Sequence, residues 1–457
     1  MKDIYLTCCS GVGSVTGANF LLELGGSKIL VDCGLIQGER VAEAQNREDF
    51  GYKASEIDML FITHAHLDHV GRIPKLVKEG FNGVIYSTPE TMALAELILE
   101  DAVNLLEKEA NKEGLLPLYE MQDMRKAFTL WKTIPYHTET PFKLRDGSEF
   151  SIYLRDAGHI LGSSMIQFTY DGRKIVFTGD LGNTPTPLLK DTESIEGADY
   201  VIMESVYGDR NHEPKELRRL KLEKVIKDNA SRQGTLVIPA FSMERTQVIL
   251  YEINKLVESK AIPSLPVYVD SPLATKITAV YKNSTYLFNQ NTQDEIKHGD
   301  DIFSFPKLSF TASQEASREI DHAKNPKIII AGSGMSVGGR VTHHEEMYLP
   351  DSKNTILLVG YQTPGSVGRH LIDGAKKVTI HSSEIKVKAR IESILGYSSH
   401  KDSDNLVEFA ATAKNTVKRI FVTMGEPKAS LFLAQKIRDN LGLDAIYPER
   451  LQRYLLD

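Results

Sequence analysis

Four potential metal ligands lie close together in the segment FITHAHLDHVG at residues 61–71. They are His64, His66, Asp68 and His69, and they follow a short apolar run that is typical of a buried strand. Alternate side chains of an extended chain project to the same side, so two histidines can share one ion while the last two residues turn towards a neighbouring ion. Imidazole with some carboxylate and no thiolate suits zinc best, with iron or manganese as alternatives. The spacing therefore favours two metal sites over surface histidines in a loop.

A dinuclear centre needs further ligands from other strand ends. His159 lies in the small-residue turn DAGHILGSS, and Asp180 ends the apolar run KIVFTGDLG. Either residue alone would more commonly be an ordinary turn residue. In combination with the cluster at residues 64–69, both are predicted to be ligands, and a carboxylate at position 180 could bridge two ions.

The elements that position these residues are mostly short strands in residues 1–207. Apolar or β-branched runs closed by turn residues, such as KILVDCG, MLFITH and YVIMES, predict these strands. The Asp-Gly pair in YDGR at residues 170–173 predicts a hairpin. Helical spacing of apolar residues predicts a helix over residues 91–113 and a second helix from Met121 to Thr133.

The pattern changes after residue 207. Strands that are apolar on both faces, such as TLVIPA, PVYVDSP, KIIIAGSG and TILLVGY, alternate with helices, which predicts a parallel sheet covered on both sides. Strand-rich sequence returns in residues 374–457, a segment that is too short to fold alone. We therefore expect one domain formed by residues 1–207 and 374–457, with a second domain, residues 208–373, inserted between them.

Composition limits the class of protein. A chain of 457 residues exceeds what one hydrophobic core usually supports, and 41% hydrophobic with 25% charged residues is ordinary for a globular protein. The net charge of −7 argues against binding nucleic acid through bulk positive charge, although a local basic cleft could still hold a phosphate backbone. Cys8, Cys9 and Cys33 allow no disulfide framework, and no signal peptide or long apolar run is evident, so we expect a cytoplasmic protein without a membrane partner.

The order of these residues resembles a known family. Asp32 in ILVDCG, the HAHLDH cluster, His159 in AGHILGS and Asp180 in FTGD resemble the four signature motifs of the metallo-β-lactamase fold. Glu204 in MESVYG and His400 in GYSSHKD resemble the added motifs of the β-CASP nucleases, which include ribonuclease J and the endonuclease that processes mRNA 3′ ends. The resemblance covers nearly the whole chain. It implies a mixed α+β and α/β protein, an αββα sandwich with an inserted α/β β-CASP domain.

The resemblance also implies roles. The first zinc would be held by His64, His66 and His159, the second by Asp68 and His69, and both by a bridging Asp180. The implied catalytic residues are Asp32, which orients a histidine ligand, Asp68, the general acid His400, and Glu204, which fixes the tautomer of that histidine and raises its pKa. The implied reaction is hydrolysis of phosphodiester bonds in single-stranded RNA by a metal-bound hydroxide, in RNA processing or decay.

Met424 departs from the family pattern. In the RNA-processing members a histidine that binds the second metal follows the last strand, whereas this strand reads RIFVTMGEP. A thioether is a poor ligand for zinc. The substitution predicts a weakened second site, a replacement ligand, or a protein that has lost strong catalysis.

Other residues are expected to contact RNA. Gly332, Ser333 and Gly334 follow a buried strand in IIIAGSGMSVGGR, where backbone N–H groups can hold a phosphate, and Arg340 is close in sequence. Arg245, at a predicted helix start, is expected to face the same cleft between the domains. The adjacent His343 and His344 are interpreted as groove or core residues rather than as ligands.

Three functions remain open at this stage. The first is a zinc-dependent ribonuclease, with endonuclease and 5′ exonuclease modes both open. The second is a DNA nuclease of the same fold, and the third is a weakly active or inactive RNA-binding subunit, an alternative that rests on Met424. A small-molecule hydrolase has little use for so large an insertion. A homodimer is also left open.

Overall fold

A computed structural model describes residues 2–38, 40–360, 362–363 and 365–457. The chain divides into two compact units. Unit 1 contains Met1–Asn211 and His400–Asp457, and unit 2 contains His212–Ser399.

The strands of the described residues are short. In chain order they are β1 Ile4–Ser10, β2 Asn19–Leu24, β3 Ser27–Val31, β4 Met59–Phe61, β5 Val84–Ser87, β6 Trp131–Thr133, β7 Thr140–Lys143, β8 Glu149–Asp156, β9 Ser164–Tyr170, β10 Arg173–Phe177, β11 Tyr200–Met203, β12 Thr235–Pro239, β13 Val267–Asp270, β14 Leu308–Phe310, β15 Lys327–Ala331, β16 Thr355–Leu358, β17 Lys377–Ile380, β18 Ser383–Lys386, β19 Arg390–Ser393, β20 Arg419–Val422, β21 Ala445–Ile446 and β22 Arg453–Leu455.

The α-helices vary more in length. They are α1 Arg40–Arg47, α2 Leu67–Val70, α3 Ile73–Lys78, α4 Pro89–Glu113, α5 Met121–Thr129, α6 Glu216–Ser231, α7 Arg245–Glu258, α8 Pro272–Asn283, α9 Gln290–Lys297, α10 Gln314–His322, α11 Gly339–Tyr348, α12 Val367–Ile372, α13 Ser403–Ala411 and α14 Pro427–Leu441.

Within the described residues, unit 1 contains two seven-stranded sheets. The first has the order β22-β1-β2-β3-β4-β5-β6 and the second the order β21-β20-β11-β10-β9-β8-β7. Strands β3 to β6 run parallel in the first sheet, and β10, β11, β20 and β21 run parallel in the second. The loops that follow parallel neighbours lie at one edge of a sheet, which is where a site can be built.

Aromatic side chains join the two sheets of unit 1. Phe61 of the first sheet makes edge contacts with Phe150 and Phe168 of the second, with ring centroids 6.4 and 5.3 Å apart. The opposite face of the second sheet is covered by α13 and α14, whose Leu406 and Leu433 are buried against it. This is the layered arrangement expected of an αββα sandwich, because each sheet face is apolar and requires a cover.

Unit 2 contains a six-stranded sheet with the order β14-β13-β15-β12-β16-β19 in the described residues. Every pairing in it is parallel, and strands β12, β15 and β16 are completely buried. This agrees with the prediction of a buried parallel sheet in this part of the chain.

Two sequence predictions differ from the structure. The segment after residue 373 was expected to return to the first domain, but residues 374–399 belong to unit 2 because β19 pairs with β16. The helix predicted over Met121–Thr133 ends at Thr129, since β6 begins at Trp131 and pairs with β5. The local sequence pattern does not show that β19 pairs with β16 or that β6 pairs with β5.

The hairpin predicted at residues 170–173 is confirmed. Asp171 and Gly172 both have positive φ, as the turn between β9 and β10 requires. The three cysteines are buried and unpaired. Among the described residues, no helix has both the length and the apolar character needed to cross a membrane.

Candidate metal centre and active site

The candidate site of unit 1 is formed where parallel strands end. Asp32 follows β3 and His64 follows β4 in the first sheet, while Asp180, Glu204 and Met424 follow β10, β11 and β20 in the second. His66 caps the short helix α2, which contains Asp68 and His69. His159 and His400 lie in loops. Residues that are far apart in sequence meet because the strands before them are neighbours.

The first ligand group contains three histidines and one carboxylate. His66 Nδ1 lies 3.2 Å from His64 Nε2 and 3.1 Å from His159 Nε2. Asp180 Oδ2 lies 3.5 Å from His64 Nε2 and 3.6 Å from His159 Nε2. Donor atoms of one tetrahedral zinc ion, each about 2.1 Å from the metal, are about 3.4 Å apart. The four side chains therefore have the spacing of a single metal site.

The second ligand group shares Asp180 with the first. Asp180 Oδ1 lies 3.3 Å from His69 Nε2, and His69 Nε2 lies 3.9 Å from Asp68 Oδ2. The two oxygens of Asp180 thus face two different groups. One carboxylate in this position can bridge two ions.

Two buried atoms in the second group make no hydrogen bond within the described residues. They are His69 Nε2 and Asp180 Oδ1. Leaving such atoms unsatisfied costs about 1–3 kcal/mol each, so their presence requires an explanation. A divalent cation between them satisfies both, and the donor set fits a metal that prefers nitrogen and oxygen ligands.

Asp32 and Thr63 hold the histidines in place. Asp32 Oδ2 lies 2.7 Å from His69 Nδ1 and accepts a hydrogen bond from Thr63 Oγ1 at 2.8 Å. Thr63 also donates its backbone N–H to Asp32 Oδ1, and its hydroxyl lies 3.1 Å from His64 Nδ1. These contacts leave the Nε2 atoms of His64 and His69 directed at Asp180. The sequence analysis missed Thr63; its place inside the THAH motif was the available signal.

Close backbone approaches also shape the site. A Cβ at Gly34 would lie 1.5 Å from the Asp68 carbonyl oxygen, so only glycine allows this part of the loop to lie beside α2. In the loop that follows β8, Ser163 Oγ accepts hydrogen bonds from the backbone N–H groups of His159 and Ile160 at 3.1 and 3.2 Å. The His159 ring is therefore presented by an ordered turn.

Glu204 and His400 form a pair beside the ligands. His400 Nδ1 lies 3.3 Å from Glu204 Oε1 and 3.9 Å from Asp180 Oδ2. The backbone N–H groups of Leu181 and Val206 donate to the two oxygens of Glu204 at 2.7 and 3.2 Å. Because Glu204 faces Nδ1, this carboxylate can fix the tautomer of the His400 ring.

The surroundings of His66 and His159 change the ring pKa in the opposite direction to those of His400. Burial, followed by neighbouring imidazoles, lowers the pKa of His66 and the pKa of His159 well below the usual value, so both rings are neutral at neutral pH, as a metal ligand must be. Burial also lowers the pKa of His400, but the Glu204 carboxylate and then Asp180 outweigh it and raise that pKa to about 9. His400 is therefore protonated at neutral pH, the state that a general acid requires.

Met424 does not extend either ligand group within the described residues. It is 2% exposed and belongs to the core between the two sheets. Its Sδ atom lies 2.7 Å from the position that a Cβ at Gly11 would take, and its backbone N–H donates to the Gly11 carbonyl at 2.7 Å. Met424 and His69 both line a small cavity of about 10 Å³, room for about one water molecule. The thioether is thus packed as a hydrophobic group.

The residues expected to contact RNA lie in unit 2. Gly332, Ser333 and Gly334 follow β15, and the Gly332 carbonyl accepts the N–H of Val341 in α11. Arg340 is partly exposed, and its Nη1 donates to Asp270 Oδ1 at 2.6 Å. Arg245 starts α7 as expected, but it is only 8% exposed. Their contacts with RNA stay predictions.

Comparisons with known proteins match the order of these elements. A metallo-β-lactamase superfamily model matches residues 13–233, a β-CASP domain model matches residues 246–371, and a model of the Zn-dependent metallo-hydrolase RNA specificity domain matches residues 384–448. Ribonuclease TTHA0252 of Thermus thermophilus is 35% identical over 396 residues, which cover 86% of this chain and 88% of the relative. The chain belongs to the β-CASP family of the metallo-β-lactamase superfamily.

Other members of the β-CASP family are similar over most of their length. An RNase J-like protein of Methanocaldococcus jannaschii is 31% identical over 430 residues, 93% of each chain. The transcription termination factor FttA of Methanosarcina mazei is 31% identical over 458 residues, 96% of this chain and 70% of that protein. A crystal structure of a protein of unknown function from Enterococcus faecalis V583 covers both chains completely with a TM-score of 0.57 and 15% identity, which supports the fold alone.

These findings confirm the family and the fold that the motifs predicted. The metallo-β-lactamase fold and the two ligand groups together identify unit 1 as a divalent-metal site. The identity and number of the ions, and the role of each residue, are proposals.

Proposed function

We propose that this β-CASP protein is a zinc-dependent ribonuclease that hydrolyses phosphodiester bonds of single-stranded RNA. The observation that carries the proposal is the position of Asp180, whose two oxygens face the two ligand groups while His400 lies 3.9 Å from one of them. A paired metal site with an adjacent proton donor is what phosphodiester hydrolysis needs. The ribonuclease relatives and the match to an RNA specificity domain support RNA as the substrate.

We assign two zinc ions to the site. One would be held by His64, His66, His159 and Asp180, and the other by Asp68, His69 and Asp180. Nitrogen and carboxylate oxygen ligands without thiolate are typical of catalytic zinc, and the three-ligand group keeps a coordination position open. When bound, the two ions would supply Lewis-acid activation of the phosphate and of the attacking water.

The protein residues then have separate tasks. Asp32 keeps a proton on His69 Nδ1, so that the lone pair of Nε2 is available as a ligand. Glu204 holds His400 protonated through Nδ1, and His400 Nε2 donates a proton to the oxygen that leaves phosphorus. Without that proton the leaving oxygen departs as an alkoxide, which is a much poorer leaving group.

Phosphate contacts away from the metals are assigned to unit 2. The backbone at Gly332–Gly334 and the Arg340 guanidinium, which Asp270 orients, are proposed to bind the RNA backbone. Burial of Arg245 makes it a weaker candidate for direct contact. A homodimer remains a separate prediction.

Met424 supports a second candidate function, an RNA-binding subunit with weak cleavage. The second ligand group has three members, and the methionine sulfur is packed against Gly11 instead of joining it. A three-ligand site binds zinc less tightly than a four-ligand site. Weak occupancy of this position would reduce the rate without preventing RNA binding.

Cleavage of a single-stranded RNA by the metal-loaded protein tests the first function. We expect cleavage that a chelator abolishes and added Zn²⁺ restores, and an inactive Asp180→Asn variant. Asp444→Asn, which changes an exposed carboxylate of the same unit, is the control and should cleave normally. Strong RNA binding without cleavage at saturating Zn²⁺ would favour the second candidate.

A further inference from the structure

A second cluster of metal-ligand types lies in unit 2. Asp321 of α10 and the adjacent His343 and His344 of α11 each place one nitrogen or oxygen atom within 4.8 Å of the others. The cluster shares no residue with the centre of unit 1. It also contains the two histidines that the sequence analysis interpreted as groove or core residues.

His344 is the buried member of the cluster. Its ring is fully buried, and its Nε2 lies 2.7 Å from Asp270 Oδ2. Its Nδ1 is also buried and has no hydrogen-bond partner within the described residues. A fully buried imidazole with one nitrogen held by a carboxylate and the other unsatisfied has the arrangement of a metal ligand.

Asp321 supplies a second unsatisfied atom. Its Oδ2 lies 2.9 Å from His343 Nε2, whereas its buried Oδ1 has no hydrogen-bond partner within the described residues. The nearby ammonium of Lys327 donates to the carbonyls of Ile320 and Ala323 at 2.6 and 2.8 Å. Both His344 and Asp321 thus carry a buried atom without a partner within the described residues.

The carboxylate behind His344 is itself firmly held. Asp270 Oδ1 accepts hydrogen bonds from Thr311 Oγ1 at 2.5 Å and Arg340 Nη1 at 2.6 Å, and Ser317 Oγ donates to its Oδ2 at 2.6 Å. Asp270 is therefore fixed as an acceptor for His344 Nε2. This keeps the proton on Nε2 and the lone pair on Nδ1, the tautomer that binds a metal.

We propose that Asp321, His343 and His344 form a separate zinc site in unit 2. Two imidazoles and one carboxylate are typical ligands of zinc, with water at the remaining position. Zinc donors lie about 3.4 Å apart, so His343 and Asp321 would separate by only a few tenths of an ångström on binding. With Asp321 Oδ2 and His343 Nε2 as two of the donors, the ion would satisfy the unpartnered Nδ1 of His344.

The site would connect two helices that pack on one face of the sheet. Ile320 of α10 and Val341 of α11 belong to the same core cluster as Ile329 of β15. An ion held by both helices would fix α11, which begins directly after the loop at residues 332–338. The expected consequence is a more stable unit 2.

Counting metal in the intact protein tests the proposal. After loading with Zn²⁺ and removal of weakly bound ions, mass spectrometry should find one zinc fewer per chain in His343→Ala and in Asp321→Asn than in the wild type. His343 is 49% exposed, so its replacement should leave the fold intact. The control is His370→Ala, an exposed histidine of the same unit, which should retain the wild-type count.

A second measurement isolates the site. In a full-length variant with His64→Ala, His69→Ala and Asp180→Asn, both groups of unit 1 lose two ligands, and we expect one Co²⁺ to remain with the visible absorption of a tetrahedral centre. Adding His343→Ala to that variant should remove the absorption. Equal zinc counts in wild type, His343→Ala and Asp321→Asn would overturn the proposal. His343 and Asp321 would then form an ion pair without a metal.

Discussion

Asp32 Oδ2 lies 2.7 Å from Nδ1 of His69, and both side chains are buried. This contact selects the tautomer of His69 whose Nε2 faces Asp68 and Asp180. The position of a proton on one ring nitrogen thus depends on a residue at the end of another strand. Metal affinity should therefore depend on residues that never touch the ion.

Replacing Asp32 by asparagine tests this dependence. Asp32 has a φ of 57°, a conformation that asparagine also adopts readily, so the fold should be retained. An amide no longer enforces the His69 tautomer, and we expect zinc affinity to fall about 10- to 100-fold. Competition with a chromogenic chelator measures the change. Asp146→Asn, at an exposed carboxylate, is the control, and equal affinities in the two variants would contradict the account.

The buried position of Met424 predicts the effect of restoring a histidine. Met424→His should add a ligand to the second group, raise zinc retention and increase the cleavage rate, because Met424 lines the same small cavity as His69. Met424→Leu keeps the volume without the sulfur and should leave zinc retention unchanged if the thioether is only a packing group. Unchanged zinc content and rate in Met424→His would argue against a missing ligand at this position.

Gly11 and Met424 should be coupled in stability. Gly11 has a φ of 76°, and an added Cβ would lie 2.7 Å from the methionine sulfur. Gly147 also has a positive φ, of 83°, but a Cβ there would meet no atom within 4 Å.

Gly147→Ala should therefore cost about 1–2 kcal/mol of unfolding free energy from the backbone alone. Gly11→Ala should cost about 1–3 kcal/mol more, from overpacking. Urea unfolding of the full chain measures both. Combining Gly11→Ala with Met424→Ala should recover part of the extra cost, and equal losses in the two glycine variants would show that the contact is unimportant.

Glu204 should set the alkaline limit of activity. A general acid is active while protonated, so a rate that requires protonated His400 falls as pH rises through its pKa, which Glu204 raises. Glu204→Gln removes the charge and should move the alkaline limb of the pH–rate profile to lower pH by about one to three units. Glu149→Gln, at an exposed position, is the control. If the alkaline limb of the Glu204→Gln profile lies at the wild-type pH, Glu204 does not set the pKa of the general acid.

Much of the site was predictable because residues that can bind a metal follow apolar strands in the sequence. His64 and Asp180 are recognisable from the runs before them, and the turn at residues 171–172 from its Asp-Gly pair. Parallel neighbours then bring such residues together at one edge of a sheet.

Other features depend on partners that no local pattern reveals. The pairing of β19 with β16 places residues 374–399 in unit 2, and the hydroxyl of Thr63 acquires its role only when Asp32 and His64 surround it. The sequence analysis interpreted His344 as a core or groove residue. Its unsatisfied Nδ1 becomes evident only when Asp270 is seen on the opposite nitrogen.

Cleavage of an end-labelled single-stranded RNA by the zinc-loaded protein, beside His400→Ala and the matching single-stranded DNA, tests the central proposal most directly. The account predicts cleavage of RNA by the wild type, with the DNA intact and the His400→Ala rate reduced at least 100-fold. Equal cleavage of RNA and DNA would contradict the assignment of the substrate. Cleavage of RNA by His400→Ala at the wild-type rate would contradict the assignment of the proton donor.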